Sequence, residues 1–307
     1  GGDAPGMNAA IRAVVRTAIH SGLKVKGIMR GYAGLINEDF IDMNSKSVGN
    51  IIQLGGTILR TARSQEFMTV EGRKKAFENL KKNNIDALIV IGGDGTFTGA
   101  RIFIEEHNFP IVGIPGTIDN DLFGTDMTIG YDTALNTVVE AVDKIRDTAA
   151  SHDRLFFIEV MGRDAGFIAT RCGIACGAEA ILVPEVDTDL KELHNRLFCY
   201  MKEKKTSSIV LVAEGDKEGG AIEVQKKMEE FGTEFESKVT ILGHIQRGGS
   251  PTAYDRFLAS RLGIAAVEAL LDDQRSIMIG MINRNISQIP FNQTIKHHKD
   301  IDRNFLK

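Results

Sequence analysis

Short runs of β-branched and other apolar residues alternate along the chain with longer segments whose apolar positions recur every three or four residues. The short runs predict strands and the longer segments predict helices. The predicted strands cover residues 23–28, 87–91, 111–114, 155–160, 180–183, 209–213, 239–242 and 277–281. The predicted helices cover residues 7–21, 72–83, 132–149, 190–204 and 252–271. This alternation indicates an α/β fold with parallel or mostly parallel sheets covered by helices.

Three predicted strands run directly into unusual turns. The sequence GGDGT at 92–96 (the second glycine turn), TIDND at 117–121 (the acid turn) and MGRDAG at 161–166 (the Arg163 turn) each follow a strand closely. Ligands of open parallel sheets bind at the carboxyl ends of the strands. We therefore expect the three turns to serve one ligand site. The polar stretch 214–237 predicts a surface helix with loops.

Composition narrows the class of ligand. The chain has 307 residues, enough for two α/β domains or one large one, and 37 Lys and Arg nearly balance 41 Asp and Glu. This balance argues against nucleic-acid and membrane-surface partners, so any anion site must be local. The three cysteines predict reduced side chains and a cytoplasmic protein. No apolar run approaches the roughly 18 residues of a membrane span, and no leader is recognisable.

Two glycine-rich turns precede predicted helices: GGDAPG at 1–6 (the first glycine turn) and the second glycine turn. Backbone N–H groups at such a helix start are suited to phosphate oxygens, although each turn alone can be purely structural. Asp94 is suited to Mg²⁺, and the alternative for this residue is a helix cap. The first glycine turn is typical of a segment that follows a strand, so we expect the natural chain to begin earlier.

The acid turn supplies two carboxylates, Asp119 and Asp121, together with the hydroxyl of Thr117. An extended segment would point both carboxylates to the same side. In phosphoryl transfer, one carboxylate can accept the proton of the attacking hydroxyl while another orients that hydroxyl or holds the metal. The alternative is an Asx-type turn around Asn120.

Two further segments carry donors for anionic or sugar ligands. Arg163 can stabilise charge on a migrating phosphoryl group, or form a structural ion pair. Residues 243–251 bring His244, Gln246 and Arg247 together after a predicted strand, where phosphate or sugar hydroxyls would satisfy their hydrogen bonds. A structural histidine is the alternative for His244. The Lys-rich stretches 202–205 and 226–227 predict solvated surface.

Five segments, in this order along the chain, resemble the bacterial-type ATP-dependent 6-phosphofructokinase family: residues 1–8, 92–96, 115–121, 161–163 and 242–251. The likeness runs to about residue 290. The second glycine turn also occurs in NAD kinases and lipid kinases, but the ordered set is specific. The resemblance implies two Rossmann-like three-layer domains with the active site in the cleft between them: an ATP-binding domain, 1–130 plus 245–295, and a sugar-phosphate-binding domain, 131–244 plus 296–307.

The resemblance also implies the reaction, which is phosphoryl transfer from MgATP to the 1-hydroxyl of fructose 6-phosphate in glycolysis. The implied ATP contacts are Gly2, Arg63, Gly93, Asp94, Gly95 and Thr96, with Asp94 also associated with Mg²⁺. The implied catalytic residues are Asp119 as general base, Thr117 and Asp121 as its helpers, and Arg163. The implied fructose 6-phosphate contacts are Thr117, Asp119, Met161, Gly162, Arg163, Glu214, His244 and Arg247. In the homotetramer typical of the family, Arg154 and Lys238 would reach a neighbouring subunit's sugar phosphate.

Regulation by ADP or phosphoenolpyruvate is implied by an effector site that matches Arg12, Arg16, Arg146 and Glu179. Three positions depart from the family pattern. Leu54 and Glu203 stand where an arginine and a lysine are expected, so we predict a weak or altered effector response. Lys238 replaces an arginine, which keeps the charge but loses the planar fork.

Two rival functions remain. Pyrophosphate-dependent phosphofructokinases tend to carry Asp where Gly95 stands and Lys where Gly116 stands, and we expect the glycines to leave room for a nucleotide. A non-catalytic sugar-phosphate-binding regulatory subunit would be expected to lack Asp94 or Asp119, and both are present. An NAD or lipid kinase would leave the acid turn and residues 243–251 unexplained.

Overall fold

The computed structural model describes residues 2–151, 154–202, 208–232, 236–297 and 299–301. The helices are α1 (Met7–His20), α2 (Tyr32–Asn37), α3 (Val70–Lys82), α4 (Asp94–His107), α5 (Tyr131–Ala150), α6 (Phe167–Cys176), α7 (Leu190–Lys202), α8 (Gly220–Phe231), α9 (Ala253–Leu271) and α10 (Phe291–Lys296). The strands are β1 (Val25–Ile28), β2 (Phe40–Met43), β3 (Leu88–Gly92), β4 (Ile111–Pro115), β5 (Leu155–Val160), β6 (Ala180–Leu182), β7 (Ser208–Ala213), β8 (Ser237–Ile241), β9 (Ile277–Ile282) and β10 (Asn285–Pro290). Short 3-10 helices cover Glu66–Met68 and Gly243–Arg247.

The chain divides into two compact units. Unit 1 comprises Gly1–Thr133 and Arg247–Lys299, and unit 2 comprises Ala134–Gln246 and Asp300–Lys307. Each unit has its own sheet and its own apolar core. No helix within the described ranges is long and apolar enough to cross a membrane.

The main sheet of unit 1 has the strand order β10-β9-β4-β3. Strands β3, β4 and β9 are parallel, and β10 pairs antiparallel with β9. In the register of β3 and β4, Gly92 is the partner of Pro115, so the two strands end side by side. The second glycine turn and the acid turn therefore leave the sheet at the same edge, as expected for the carboxyl ends of neighbouring parallel strands.

Both faces of this sheet are covered, which explains why β4 is buried along its whole length. Val112 and Ile114 pack with α1 and α9 on one face, whereas Ile111 packs with Phe103 of α4 on the other. Helices α1 and α9 approach closely, because a Cβ at Gly263 would lie 2.7 Å from the Cβ of Ala13. The small residues at this crossing let the middle of α9 pack against the middle of α1.

Unit 2 contains a four-stranded parallel sheet with the order β6-β7-β5-β8. Strand β7 is buried at every position. The core on one side joins Leu155 and Phe157 of β5 to Leu193 and Leu197 of α7 and Val224 of α8. This packing fixes the carboxyl end of β5, where the Arg163 turn begins.

The predicted α/β class with mostly parallel sheets is confirmed, but β1, β2 and β10 differ from expectation. We expected the strand at 23–28 to belong to a parallel sheet, whereas β1 pairs antiparallel with β2 in a separate two-stranded sheet. The hairpin of β9 and β10 was not predicted. Its turn residues Asn283 and Arg284 have φ values of 49° and 67° without the glycine that usually signals such a turn.

The helices agree more closely. The predicted surface helix within 214–237 is α8, and the predicted helix at 190–204 is α7, with residues 203–204 outside the described ranges. The short helices α2, α6 and α10 were not predicted. Helices α2 and α10 have only six residues each, too few to establish a helical period.

Candidate active site

The second glycine turn joins β3 to α4. Gly93 is the N-cap residue with an extended backbone, and Asp94 is the first residue of the helix. The N–H groups of Thr96 and Phe97 both donate to the carbonyl oxygen of Gly93, at 3.0 and 3.2 Å. The earlier N–H groups of α4 precede any intrahelical acceptor. They lie at the positive end of the helix dipole, where an anion or the Asp94 carboxylate is favoured.

The acid turn is held by hydrogen bonds from its own residues and from the following loop. The hydroxyl oxygen of Thr117 accepts from the backbone N–H of Asp119 at 3.2 Å, and the Thr128 hydroxyl donates to the carbonyl oxygen of Thr117 at 2.6 Å. The side-chain oxygen of Asn120 accepts from the N–H of Thr128 at 2.9 Å. Asp119 is only 4% exposed, so this carboxylate occupies a defined position in the protein.

One argument for the acid turn was wrong. We expected an extended segment with both carboxylates on one side, but Asn120 has a φ of 54°, in the left-handed region. The alternation of side chains along an extended chain therefore does not hold between Asp119 and Asp121. Asparagine tolerates this conformation, and its side chain acts in the turn through Thr128.

The second glycine turn and the acid turn are direct neighbours. A Cβ at Gly93 would lie 3.3 Å from the Cβ of Thr117, and the N–H of Gly116 donates to the carbonyl oxygen of Gly92 at 2.9 Å. The parallel pairing of β3 with β4 thus brings Asp94 and Asp119 onto adjacent turns. An anion-binding helix start and a buried carboxylate at one sheet edge form a site suited to phosphoryl chemistry.

The two glycines expected to leave room for a nucleotide differ in their surroundings. A Cβ at Gly95 would meet no heavy atom within 4 Å, and this residue is exposed. A Cβ at Gly116 would lie 2.9 Å from Cγ2 of Ile91 and 3.0 Å from Cε of Met7. Only Gly95 therefore faces open space, and Gly116 is a glycine because the sheet packs tightly against α1.

The first glycine turn adjoins Arg247. A Cβ at Gly2 would lie 2.8 Å from Nη1 of Arg247, so residues from two predicted ligand segments are neighbours within unit 1. The Nε atom of Arg247 is buried and has no hydrogen-bond partner in the described part of the chain. A buried guanidinium nitrogen without an acceptor is costly, which supports an anionic ligand at this arginine.

Tyr32 was not among the predicted site residues. Its hydroxyl donates to the carbonyl oxygen of Thr96 at 2.6 Å, and its ring stacks on Phe67 with a centroid distance of 3.9 Å. Tyr32 also lines a cavity of about 1430 Å³ together with Gly2 and Thr96. A lone tyrosine in a short helix carries no sequence signal for this position. Arg63, by contrast, is exposed in a loop.

Asp94 supplies one partly exposed carboxylate at the start of α4. Within the described ranges, no group of three or more His, Cys, Asp or Glu side chains is arranged to hold a metal ion. Mg²⁺ commonly binds through one or two carboxylates plus phosphate oxygens and water, an arrangement that needs no such cluster. The residues present therefore fit a magnesium ion that is held jointly with a nucleotide.

The Arg163 turn has a strained backbone, which the Glu214 side chain holds by hydrogen bonds. Arg163 has a φ of 54°, unusual for a residue with a side chain, and its own side chain is exposed. One carboxylate oxygen of Glu214 accepts from the N–H of Arg163 at 2.7 Å and from that of Gly162 at 3.3 Å. Strain of this kind is often found at functional sites. These two hydrogen bonds show that Glu214 positions the Arg163 turn within unit 2.

Gln246 also supports this turn. Its side-chain oxygen accepts from the N–H of Met161 at 3.2 Å, and its side-chain nitrogen donates to the carbonyl oxygen of Gly243 at 3.0 Å. Gln246 is completely buried, whereas His244 is exposed. The expectation that a ligand satisfies the Gln246 donors is wrong, because the protein itself uses this amide.

Arg154 and Lys238 meet at one carboxylate. Glu236 accepts from Nε of Arg154 at 2.9 Å and pairs with Nζ of Lys238 at 2.8 Å. Hydrogen bonds from Lys238 and Arg154 lower the pKa of Glu236 to about 2, and the hydrogen bond from Lys238 has the larger effect. The two cations predicted to act on a sugar phosphate thus lie together on unit 2, with Glu236 between them.

Comparison with known proteins decides the family. The phosphofructokinase family model matches residues 1–270. The chain belongs to the phosphofructokinase family. It is 58% identical over 306 residues to ATP-dependent 6-phosphofructokinase 2 of Bacteroides thetaiotaomicron, covering all of this chain and 94% of that protein. It is 57% identical over 307 residues to ATP-dependent 6-phosphofructokinase 1 of Thermus thermophilus, covering all of this chain and 95% of the relative.

Solved phosphofructokinase structures share the fold. Pichia pastoris phosphofructokinase in the T-state superposes with a TM-score of 0.89 at 39% identity, over 96% of this chain. The chain spans only 34% of that yeast chain. A pyrophosphate-dependent phosphofructokinase from Marinobacter aquaeolei gives a TM-score of 0.85 at 22% identity, covering 99% of this chain and 84% of the other. The latter likeness concerns the fold alone.

The positions matched to a phosphofructokinase effector site fall on both units. Arg12 and Arg16 lie on α1 of unit 1, with Arg16 exposed. In unit 2, Nη2 of Arg146 donates to the carbonyl oxygen of Cys176 at 2.5 Å, and a carboxylate oxygen of Glu179 accepts from the N–H of Ile209 at 2.6 Å. Both of these side chains therefore have contacts within unit 2.

Leu54 and Glu203 are the two positions that depart from the effector-site pattern of the family. Leu54 is 44% exposed in unit 1, and its carbonyl oxygen accepts from the side chain of Asn8 at 3.1 Å. An apolar side chain at the surface adds no attraction for an anion. Glu203 lies outside the described residues.

Proposed function

We propose that the chain is an ATP-dependent 6-phosphofructokinase, which transfers the terminal phosphoryl group of MgATP to the 1-hydroxyl of fructose 6-phosphate. The observation that carries the proposal is the juxtaposition of Gly93 with Thr117, which sets a phosphate-binding helix start beside a buried acid. Relatives at 57–58% identity that bear this name support the donor and the acceptor. The reaction yields fructose 1,6-bisphosphate and ADP.

Unit 1 supplies the nucleotide contacts in this proposal. The N–H groups at the start of α4 bind phosphate oxygens, with Gly2, Arg63 and residues 93–96 around the nucleotide. Asp94 holds Mg²⁺ jointly with the phosphates. The chemistry that a bound Mg²⁺ supplies is neutralisation of charge on the phosphate oxygens. Tyr32 fixes the glycine turn through Thr96, with which it lines a cavity of unit 1.

Asp119 is the proposed general base. It accepts the proton of the sugar 1-hydroxyl as that oxygen attacks the terminal phosphorus, and the bond from phosphorus to the leaving ADP oxygen breaks. Burial at 4% exposure keeps competing water away from the carboxylate. Thr117 orients the backbone of Asp119, and Asp121 assists in holding the acceptor. A base of this kind contributes a factor of about 10²–10⁴ in rate.

The sugar phosphate is assigned to the Arg163 turn and to residues His244 and Arg247. The exposed guanidinium of Arg163 stabilises negative charge on the transferring group, and Glu214 and Gln246 keep the turn in shape. Arg154 and Lys238 contact the 6-phosphate of a neighbouring subunit in a cytoplasmic homotetramer. Their shared partner Glu236 must then yield to the substrate phosphate, which carries the greater negative charge.

Two features separate this proposal from its rivals. Gly95 leaves open space beside the helix start, which suits a bulky nucleotide and gives pyrophosphate no special contact. The buried Asp119 and the strained Arg163 turn favour an active enzyme over a non-catalytic subunit. An ADP or phosphoenolpyruvate effector site over Arg12, Arg16, Arg146 and Glu179 stays a prediction, with a weakened response because of Leu54.

The test of the proposed base is Asp119→Asn, with Asp126→Asn as a matched control. Asp126 lies in the same loop but is exposed, and it accepts from the N–H of Asn283 at 2.7 Å. We expect Asp119→Asn to lower kcat by about 10²–10⁴ with KM for both substrates nearly unchanged, because only the proton transfer is lost. Asp126→Asn should retain kcat. Steady-state kinetics in which both variants turn over like the wild type would remove Asp119 from the reaction.

A further inference from the structure

Asp255 is a completely buried carboxylate in the first turn of α9. One of its oxygens accepts from the N–H of Gly130 at 2.9 Å. The other accepts from the N–H of Thr133 at 2.8 Å and from the Thr133 hydroxyl at 2.5 Å. A carboxylate with three donors from a segment more than 120 residues away does more than cap its own helix, a role that Thr252 already fills.

The segment that Asp255 holds leads directly to the acid turn. Ile129 forms a bridge with Gly116, and its N–H donates to the carbonyl oxygen of Pro115 at 2.9 Å. Thr128 makes two contacts with the acid turn, through its hydroxyl to the carbonyl oxygen of Thr117 and through its N–H to the side chain of Asn120. Within unit 1, hydrogen bonds therefore join Asp255 to one end of the segment 128–133 and the acid turn to the other.

The first glycine turn packs against the same segment. A Cβ at Gly6 would lie 2.7 Å from Cγ2 of Ile129 and 3.6 Å from the Cβ of Asp255, and a Cβ at Gly130 would lie 2.7 Å from the Cβ of Ala4. Gly6 and Gly130 have φ values of 103° and 99°, which suit glycine. The segment is confined on one side by this turn and on the other by Asp255.

We propose that Asp255 is a positioning residue for the reaction, which fixes the acid turn, and Asp119 within it, through the segment 128–133. This inference rests on the proposed function. It assigns a role to a buried acid that is not among the predicted site residues. The negative charge is required because three donors converge on the two oxygens, and a neutral acid would have to donate one hydrogen bond to groups that are themselves donors.

Charge at this position is maintained near neutral pH. Burial raises the pKa of Asp255 to about 6, the hydrogen bonds from Thr133 and Gly130 oppose that rise, and the neighbouring Asp132 adds to it. Asp132 itself accepts from the hydroxyl of Thr252 at 2.6 Å. The carboxylate is therefore ionised at pH 7 and available to all three donors.

The experiment uses Asp255→Asn, which keeps the shape but turns one oxygen into a donor. Amide hydrogen exchange of the intact chain should become faster in peptides covering 115–133. The matched control is Glu106→Ala, which removes the partner of a buried arginine elsewhere in unit 1 and lowers stability without touching this segment. The control should leave exchange at 115–133 near the wild-type rate. Equal protection in Asp255→Asn and the wild type would overturn the proposal whatever reaction the protein catalyses.

Kinetics provide the second measurement. We expect Asp255→Asn to lower kcat by about tenfold to a hundredfold with KM for ATP little changed, as for a small displacement of a catalytic group. In the double variant Asp255→Asn/Asp119→Asn, kcat should equal that of Asp119→Asn alone, because Asp255 acts only through Asp119. Multiplying losses would contradict the proposal. If the wild-type protein were inactive with ATP, the proposed function would be refuted. The hydrogen-exchange result would still decide whether Asp255 positions the acid turn.

If Asp255→Asn does not fold, Thr133→Val serves in its place. This change removes the hydroxyl that donates to Asp255 and accepts from the N–H of Thr252, but it leaves the carboxylate and the Gly130 contact. The same faster exchange at 115–133 is expected, with a smaller loss of kcat. Unchanged exchange and kcat in this variant would count against Asp255 as the anchor of the acid turn.

Discussion

Gly95 is the residue at which we predict that the choice of phosphoryl donor depends on the presence of a side chain. It follows Asp94 in the first turn of α4, its φ is not in the left-handed region, and a Cβ there would enter open space. A larger residue can therefore be introduced without backbone strain or overlap. An added carboxylate would stand beside the phosphate-binding N–H groups and repel a nucleotide phosphate.

We predict that Gly95→Asp raises KM for MgATP by about tenfold, equivalent to ~1.4 kcal/mol of binding. Gly95→Ala is the matched control, since it adds bulk without charge, and its KM should stay near the wild-type value. Initial rates at varied MgATP give both constants. Equal KM values for the Ala and Asp variants would show that the donor phosphates do not pass position 95.

At the residue scale, the sequence predicted those site residues that combine unusual chemistry with a strand end. Asp94, Asp119 and Arg163 stand in glycine-rich or paired-acid turns, and the structure brings the first two to one sheet edge. The sequence left a turn at Asn120 only as an alternative, because the hydrogen bond that holds this side chain comes from Thr128, eight residues further along the chain. Asp255 was missed for a similar reason, since its partners lie more than 120 residues away.

The roles of side chains that support other residues could not be predicted from the sequence either. Gln246 was expected to meet a ligand, and Glu214 stays a predicted fructose 6-phosphate contact, but the sequence did not indicate that both side chains hold the backbone of the Arg163 turn. Glu236, which joins Arg154 to Lys238, gave no signal in the sequence. Composition and spacing identify groups capable of chemistry. They do not distinguish a group that binds substrate from one that positions its neighbour.

At the element scale, an ion pair between a buried arginine and a partly exposed glutamate joins helices α3 and α4. Arg73 is 6% exposed, and its Nε and Nη2 atoms donate to the two carboxylate oxygens of Glu106 at 2.7 and 2.6 Å. The third contact is from Nη1 to the carbonyl oxygen of Phe67 at 3.0 Å. The hydrogen bond from Arg73 lowers the pKa of Glu106. The Arg73–Glu106 pair therefore stabilises the contact between α3 and α4 in unit 1.

We predict that Glu106→Ala lowers the free energy of unfolding by about 2 kcal/mol, because it leaves the Arg73 guanidinium buried without its partner. The adjacent Glu105→Ala is the control. Glu105 pairs with Arg101 at the surface with 59% of its side chain exposed, so its loss should cost less than about 0.5 kcal/mol. Urea unfolding measures both. Equal midpoints for the two variants would mean that the Arg73–Glu106 pair contributes no more than a surface pair.

Acid should weaken the same pair. Because the pKa of folded Glu106 lies below its usual value, the stabilisation is present at and above that usual value and is lost as the pH falls through the folded pKa. The difference in stability between the wild type and Glu106→Ala should therefore shrink in acid. Long helices such as α4 and α5 were predictable, whereas β2 and β10 were not, since short antiparallel strands depend on pairing rather than on their own pattern.

At the scale of the whole molecule, the predicted functions divide between the units. The second glycine turn and the acid turn belong to unit 1, and the Arg163 turn belongs to unit 2. Arg154 and Lys238 both lie on unit 2, where both pair with Glu236. Assembly into a homotetramer and the effector response stay predictions, because they depend on surfaces of neighbouring subunits.

Family membership rests on the whole chain, whereas we predict that the choice of donor depends on a few residues of unit 1. Relatives that cover all of this chain at 57–58% identity are named for ATP. A pyrophosphate-dependent structure shares the fold at 22% identity, so the fold itself does not determine the donor. The open position at Gly95 is the feature of this chain that favours the nucleotide.

The most direct test of the account is the reaction of the purified chain with fructose 6-phosphate and Mg²⁺, supplied either with ATP or with pyrophosphate. Phosphorus NMR identifies the products of each mixture. We predict fructose 1,6-bisphosphate and ADP with ATP, and no sugar bisphosphate above background with pyrophosphate. Efficient product formation from pyrophosphate, or no phosphorylation of the sugar with ATP, would contradict the account.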